Sequence, residues 1–239
     1  MKNYKLTIQY DGAGFYGYQK LPDHRTVQGE LEKAIFKITD EKVQVHCART
    51  DRVHALGQVV SFQISQNIPF ENIKLALNNI LPQDIRIIDI ELVNDDFHAR
   101  FHAKSRSYIY VIKHMKHYSV FEKNYITFIE NDIDIDKANQ LLASFLTHDF
   151  DSFRSANCGA DSPIRTIKSI SLKKDQDKYI LHISADFLKN MVRIIVGAVL
   201  YELSKNKSTI SAKLENSKAV NPHKYVAPAS GLYLEGVGY

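Results

Sequence analysis

Cysteine is scarce in this 239-residue chain, with Cys47 and Cys158 its only two. They stand far apart and lack the short spacing of metal-ligand pairs. Neither a disulfide framework nor a zinc module is expected, and both read as reduced intracellular thiols. Long apolar runs are missing too. None approaches the roughly 20 residues needed to cross a bilayer, which excludes a helical membrane span. Met1-Lys2-Asn3-Tyr4 runs straight into an alternating strand pattern, so no secretion signal is expected ahead of the fold. A phosphate-cradling glycine loop and a dinucleotide fingerprint are both lacking, because the glycines of Tyr10-Asp11-Gly12-Ala13-Gly14-Phe15 have the wrong spacing. Nor is there a large charge excess. The formal net charge of +4 permits an anionic partner without demanding one. These absences describe a soluble, cytoplasmic protein with no membrane partner and no nucleotide cofactor.

What is present suffices for real cores, since 44% of the residues are hydrophobic and 24% charged. Lys5 to Tyr10 alternates apolar and polar residues and stops at Asp11-Gly12, a strand and a turn. Val27, Leu31, Ala34, Ile35 and Ile38 share one helical face, with Thr26 placed as the N-cap. Val43 to Cys47 and Gln58 to Phe62 read as strands joined by a polar loop. A short helix from Asn72 to Leu81 and a strand from Ile85 to Leu92 follow. That order, β-α-β-β-α-β, is ferredoxin-like. The second half repeats it with one addition: strands at Tyr108 to Lys113 and Tyr125 to Ile129, a helix at Asp136 to Leu146, a hairpin of Ile167 to Leu172 and Tyr179 to Ser184, an apolar helix at Leu188 to Leu203, and a last strand from Leu232 to Val237. The expected fold is α+β, two tandem ferredoxin-like units over residues 1–104 and 105–239. Their sheets would merge into one antiparallel sheet around a central cleft. RNA-recognition modules use the same unit.

Five stretches put polar groups where loops or strand ends are expected. In Cys47-Ala48-Arg49-Thr50-Asp51-Arg52-Val53-His54-Ala55, Asp51 stands between two arginines. A guanidinium nearby would keep it ionised, suited to nucleophilic attack. Phe97 to Tyr110 interleaves aromatics with Arg100, Lys104 and Arg106, a mixture that grips phosphates and stacks bases. His98 and His102 stand four apart within it, but they flank an arginine and lack a glutamate, so phosphate contact or packing is preferred to a metal. Arg193 lies in the most apolar helix and calls for a carboxylate or phosphate partner. Asp51 and Arg193 come from different halves, so their pairing would set the site in the cleft. His148-Asp149-Phe150-Asp151-Ser152-Phe153-Arg154 reads mainly as loop capping and packing, and Ala227-Pro228-Ala229-Ser230-Gly231 as a turn.

Together these stretches resemble the tRNA pseudouridine synthase A family along almost the whole chain. The resemblance rests on Tyr10-Asp11-Gly12 with Phe15, Gly17, Tyr18 and Gln19; on Thr26-Val27-Gln28; and on Arg49-Thr50-Asp51 with Val53-His54-Ala55 and Gln58. It continues in Phe97, Ala99-Arg100-Phe101, Arg106-Ser107-Tyr108-Ile109-Tyr110, Phe187-Leu188, Met191-Val192-Arg193, Gly197, Ala227-Pro228 and Gly231-Leu232. It implies isomerisation of uridine to pseudouridine in the tRNA anticodon stem-loop, at positions 38–40, by a homodimer with no metal or cofactor. Asp51 would be the nucleophile, attacking either the base or the sugar. Tyr108 would pack on the target base, Arg193 would hold Asp51, and Arg49 would help displace the uridine from its stack. Arg100, Lys104, Arg106, Arg154, Arg165 and Lys189 would meet phosphates.

One departure stands out. The family's loop places two residues, the second a glycine, between the aspartate and Val-His-Ala, whereas here Arg52 alone fills that gap. A catalytically weak RNA-binding protein on the same fold is therefore the rival expectation.

Overall fold

The computed structural model describes residues 1–47, 53–155, 158–205, 210, 214 and 226–239. Asp51 and its neighbours Arg49 and Arg52 lie outside the described residues. The chain is mixed α+β, with four α-helices and ten mostly antiparallel strands among those described. It clusters into two compact units, one of residues 1–104 with 233–239, the other of residues 105–232.

The first unit contains β1 (Lys2–Tyr10), α1 (Val27–Thr39), β2 (His46–Cys47), β3 (His54–Ile64), α2 (Phe70–Ile80) and β4 (Ile85–Val93). Strand β1 runs antiparallel to both β3 and β4, with Leu6 opposite Val60 on one side and Ile90 on the other. Period-2 alternation sends Tyr4, Leu6 and Ile8 into the core, where all three are fully buried, and Tyr4 stacks on Phe62. Helix α1 starts where the sequence placed it, the Thr26 hydroxyl accepting from the Gly29 amide at 3.3 Å. Leu31, Ile35, Ile73 and Leu77 form the buried faces of α1 and α2.

Three strands of this unit differ by more than a residue from the sequence reading, β1 by starting at Lys2 rather than Lys5. Strand β2 covers only His46–Cys47, since the Val45 amide donates to the Glu32 carboxylate of α1 rather than to a ladder. Strand β3 begins at His54, four residues before the expected start. The pairing that extends it comes from Tyr10, opposite Ala55, and from the last strand, β10 (Leu232–Gly238), where Tyr233 lies opposite His54. Gly57 permits this pairing, because a Cβ there would lie 2.4 Å from the Glu235 carbonyl oxygen.

In the second unit, β5 (Ser105–His114) pairs with β9 (Lys178–Ala185), β9 with β8 (Ile164–Asp175), and β8 with β7 (Thr147–Asp149). Strand β6 (Thr127–Ile129) lies parallel to β5. Helix α3 (Ile135–Ala143) stops earlier than expected, its final turn tightened by Phe145 N–H donating to the Leu142 carbonyl. Helix α4 (Met191–Lys205) starts later than expected. The cause is Asn190, whose left-handed backbone (φ 60°) cannot continue a helix and whose amide donates to Ser155 Oγ at 2.7 Å.

Both units treat an uncovered stretch of strand alike, β4 in the first and the part of β8 beyond its β7 pairing in the second. Asn78 of α2 accepts from Ile87 N–H at 2.8 Å and donates to the Ile87 carbonyl at 3.0 Å. Asn139 of α3 does the same to Leu172 of β8, at 2.8 and 2.9 Å. Each strand also carries a bulge, at Ile88 and at Lys168, where the pairing skips one residue.

Candidate active site and nucleic-acid interface

The segment carrying Asp51 leaves β2 after Cys47 and re-enters the described chain at Val53, and both stems are tightly held. Gly12 abuts the second stem so closely that a Cβ would lie 2.3 Å from the Val53 carbonyl oxygen. Buried His54 follows, its Nδ1 3.1 Å from both the Gly12 amide and the Asp11 carboxylate. One tautomer accepts from the amide and the other donates to the carboxylate. The imidazole also stacks on Tyr233 at 4.7 Å. At the first stem, buried Cys47 meets the hydroxyl of buried Tyr18, whose pKa is pushed well up by burial and then by Cys47.

In the second unit, Arg106, Tyr108 and Tyr110 alternate on β5 and so share one face. Tyr108 is buried, and Phe187 meets it edge-on at 5.2 Å. Tyr110 is wholly buried; its hydroxyl lies 2.6 Å from Thr127 Oγ1 and donates to the Pro228 carbonyl at 2.8 Å. Burial raises that phenol's pKa, partly offset by Thr127 and by the nearby charge of Arg193. Arg193 donates through Nε to the Ala227 carbonyl at 2.6 Å, and Ala227 N–H donates back to the Arg193 carbonyl at 3.0 Å. The turn at 227–231 is thereby tied to both α4 and β5. In the sequence Tyr110 is marked as the last residue of the Arg106-Ser107-Tyr108-Ile109-Tyr110 match, with no role given to it.

The cations expected to meet phosphate fall into separate groups. Arg106 pairs with Asp186 at 2.9 Å, and Arg165 lies 3.5 Å from the same carboxylate. Arg154 pairs with Asp151 at 2.6 Å and donates to the Ala160 carbonyl. Beside it, burial pushes the Cys158 thiol up, but the amides of Lys189 and Ala160 and the Arg154 guanidinium outweigh this and leave its pKa below the ordinary value. Lys189 is exposed. In the first unit Arg100 and Lys104 are exposed, with Arg100 over the Phe101 ring at 5.3 Å. His98 and His102 do not gather a metal site; no cluster of three ligating side chains occurs among the described residues. The 148–154 stretch caps and packs as read, Asp149 accepting from the Asp151 amide and Phe150 and Phe153 filling the core.

The sequence model of tRNA pseudouridine synthases matches residues 6–102 and 147–239. The chain belongs to the tRNA pseudouridine synthase family, and is thus an enzyme, an isomerase acting on tRNA. Curated relatives match end to end, covering 100% of both chains. They include tRNA pseudouridine synthase A 2 of Clostridium perfringens, 38% identical, and the tRNA pseudouridine synthases A of Acetivibrio thermocellus and Clostridium acetobutylicum, 38% and 40% identical. A solved archaeal box H/ACA sRNP Nop10-Cbf5 complex aligns at a TM-score of 0.35 and 8% identity over 97% of this chain and 56% of that one, too weak a likeness to carry an argument.

Proposed function

We propose that the chain converts uridine to pseudouridine in the anticodon stem-loop of tRNA, with Asp51 as nucleophile and no metal or cofactor. The observation that supports this reading is the sequence Arg49-Thr50-Asp51 followed by Val53-His54-Ala55, in a chain that aligns end to end with tRNA pseudouridine synthases A. In the reaction the N1–C1′ bond breaks, a C5–C1′ bond forms, C5 loses a proton and N1 gains one. No electrons enter or leave, so no redox partner is required. Asp51 forms and releases a covalent bond to the base or the sugar. Tyr108 packs against the uracil and assists removal of the C5 proton, and Arg193 holds the Asp51 carboxylate. Arg49 helps displace the uridine, while Arg100, Lys104, Arg106, Arg154, Arg165 and Lys189 meet the backbone. The wider architecture in this proposal is a pair of ferredoxin-like units with merged sheets around a cleft, working as a cytoplasmic homodimer.

Release of tritium from RNA labelled at uracil C5 tests the reading. Asp51→Asn should abolish release while leaving tRNA affinity and thermal stability near wild type, because the amide matches the carboxylate in size but is not a nucleophile. The loop lacking a glycine after Arg52 favours one rival, an RNA-binding protein with little catalysis. A wild type that binds stem-loops but releases no tritium would decide for that rival. A variant with one Gly inserted after Arg52 that gained activity would identify a degenerate loop. If the native loop is a compensated variant, the insertion will be neutral or harmful.

A further inference from the structure

The turn after β4 builds a stack of rings that the proposed chemistry does not use. The His46 and His98 rings lie 4.3 Å apart between centroids, tilted by 35°. His98 and Phe101 repeat the spacing, 4.3 Å at 37°. The stack starts on β2, whose Cys47 leads into the Asp51 segment, and it ends on a phenylalanine that is 70% exposed. A ring so exposed forfeits the stabilisation that burial would give it.

The platform is rigid at its base. Ala99 is fully buried; its amide donates to Ser61 Oγ at 3.1 Å and its carbonyl accepts from the Tyr239 hydroxyl at 2.8 Å. Asn3 donates to the Phe97 carbonyl at 2.8 Å, and His102 N–H donates to the His98 carbonyl at 3.0 Å. The Arg100 amide donates to His98 Nδ1 at 3.1 Å, which sets the plane of the middle ring. The Arg100 guanidinium, on an exposed side chain, lies 5.3 Å from the centroid of Phe101. A ring 70% exposed with a mobile-ended cation over it is matched by a nucleobase with its phosphate, the guanidinium exchanging the ring for the phosphate as the base stacks, since every base has a π-face and every nucleotide a negative charge.

We propose that Phe101, backed by His98 and His46, is a stacking platform for one unpaired base of the RNA other than the uridine being isomerised, and that Arg100 contacts its phosphate. The proposal rests on the tRNA-isomerase reading and adds a subsite to it. Stacking is tolerant of base identity, so the platform accepts purines and pyrimidines alike.

The test uses the full-length protein and anticodon stem-loop RNAs carrying 2-aminopurine at one loop position at a time. At one position wild type should quench the fluorescence on binding. Phe101→Leu should remove that quenching and raise KM about tenfold, with kcat little changed, and Phe101→Trp should restore both. An RNA abasic at that position should bind wild type weakly and show no further loss with Phe101→Leu, the coupling expected of a direct contact. Because Phe101 is exposed, an unchanged Tm will show that the leucine variant folds. Wild-type KM and fluorescence in Phe101→Leu would overturn the platform, as would a change in association state that accounts for the KM. Absence of tritium release by wild type would instead sink the enzymatic reading beneath it.

Discussion

Gly12 touches the Val53 carbonyl across a gap that no side chain can enter, since a Cβ would sit 2.3 Å from the oxygen and 2.6 Å from its carbon. The turn after β1 is in this way wedged against the stem of the Asp51 segment. Gly12→Ala must move one backbone or the other. The expected cost is about 1–3 kcal/mol of stability, the usual range for overpacking, measured by denaturant unfolding. Tritium release should fall further than that loss implies at temperatures where the variant is folded. A variant of normal stability and activity would show that the stem does not set the aim of Asp51.

Arg193→Ala should reduce kcat more than tRNA affinity, because its proposed partner is the nucleophile and not the RNA. Without it the carboxylate would be poorly oriented and more easily protonated. Arg193→Lys should restore only part of the rate, since an ammonium cannot both donate to the Ala227 carbonyl and offer a planar fork to a carboxylate. Equal losses of binding and turnover would reassign Arg193 to phosphate.

Salt should weaken tRNA binding steeply. The slope of log affinity against log salt should become shallower by about 1 for each phosphate contact removed. Arg106→Ala and Lys189→Ala, measured by filter binding across a salt series, should each flatten the slope while weakening different tRNAs alike. Arg106 already pairs with Asp186, so Asp186→Asn should tighten binding by freeing the guanidinium. A slope unchanged in every variant would remove both residues from the interface.

Buried Lys113 lies 2.9 Å from both Asp177 and Glu122. Hydrogen bonding to Lys113 holds the Asp177 carboxyl below its ordinary pKa, and the bonds to Asp177 and Glu122 raise the ammonium above its own. The Asp177 contribution to stability is complete above the unfolded pKa of about 3.9 and is lost as pH falls through the lower folded value. The Lys113 contribution is complete below about pH 10.4 and is lost as pH rises through its raised value. Thermal melts should show Asp177→Asn less stable than wild type at pH 7, with a shallower decline below about pH 4. Parallel acid limbs in the two proteins would exclude this pair as a source of acid sensitivity.

Local pattern carried much of the fold. Thr26 announces α1, and the alternation of Tyr4, Leu6 and Ile8 announces β1, because caps and period-2 burial depend on neighbours in sequence. What stayed hidden was set by distant partners. Strand β3 starts at His54 because Tyr233 pairs there, and α4 waits for Met191 because Asn190 turns left-handed towards Ser155. Three-residue β7, which pairs with β8, has no hydrophobic signature at all. The site divides in the same way. Tyr108, Tyr110 and Arg193 all stand in motifs legible by their order and spacing, whereas the contact of Tyr110 with the turn at 227–231 and the His46–His98 contact needed the fold to bring distant residues together.

The paired asparagines also bear on how the protein behaves when crowded. An outer strand offers its spare amides and carbonyls to any extended chain that passes, and such an edge can template aggregation. Asn78 and Asn139 each occupy one donor and one acceptor of that edge with a side-chain amide that imitates a neighbouring strand and then ends. Each amide is therefore a local terminator: at Ile87 and at Leu172 it completes the ladder by a single rung and takes up the donor and acceptor that a second molecule would need there.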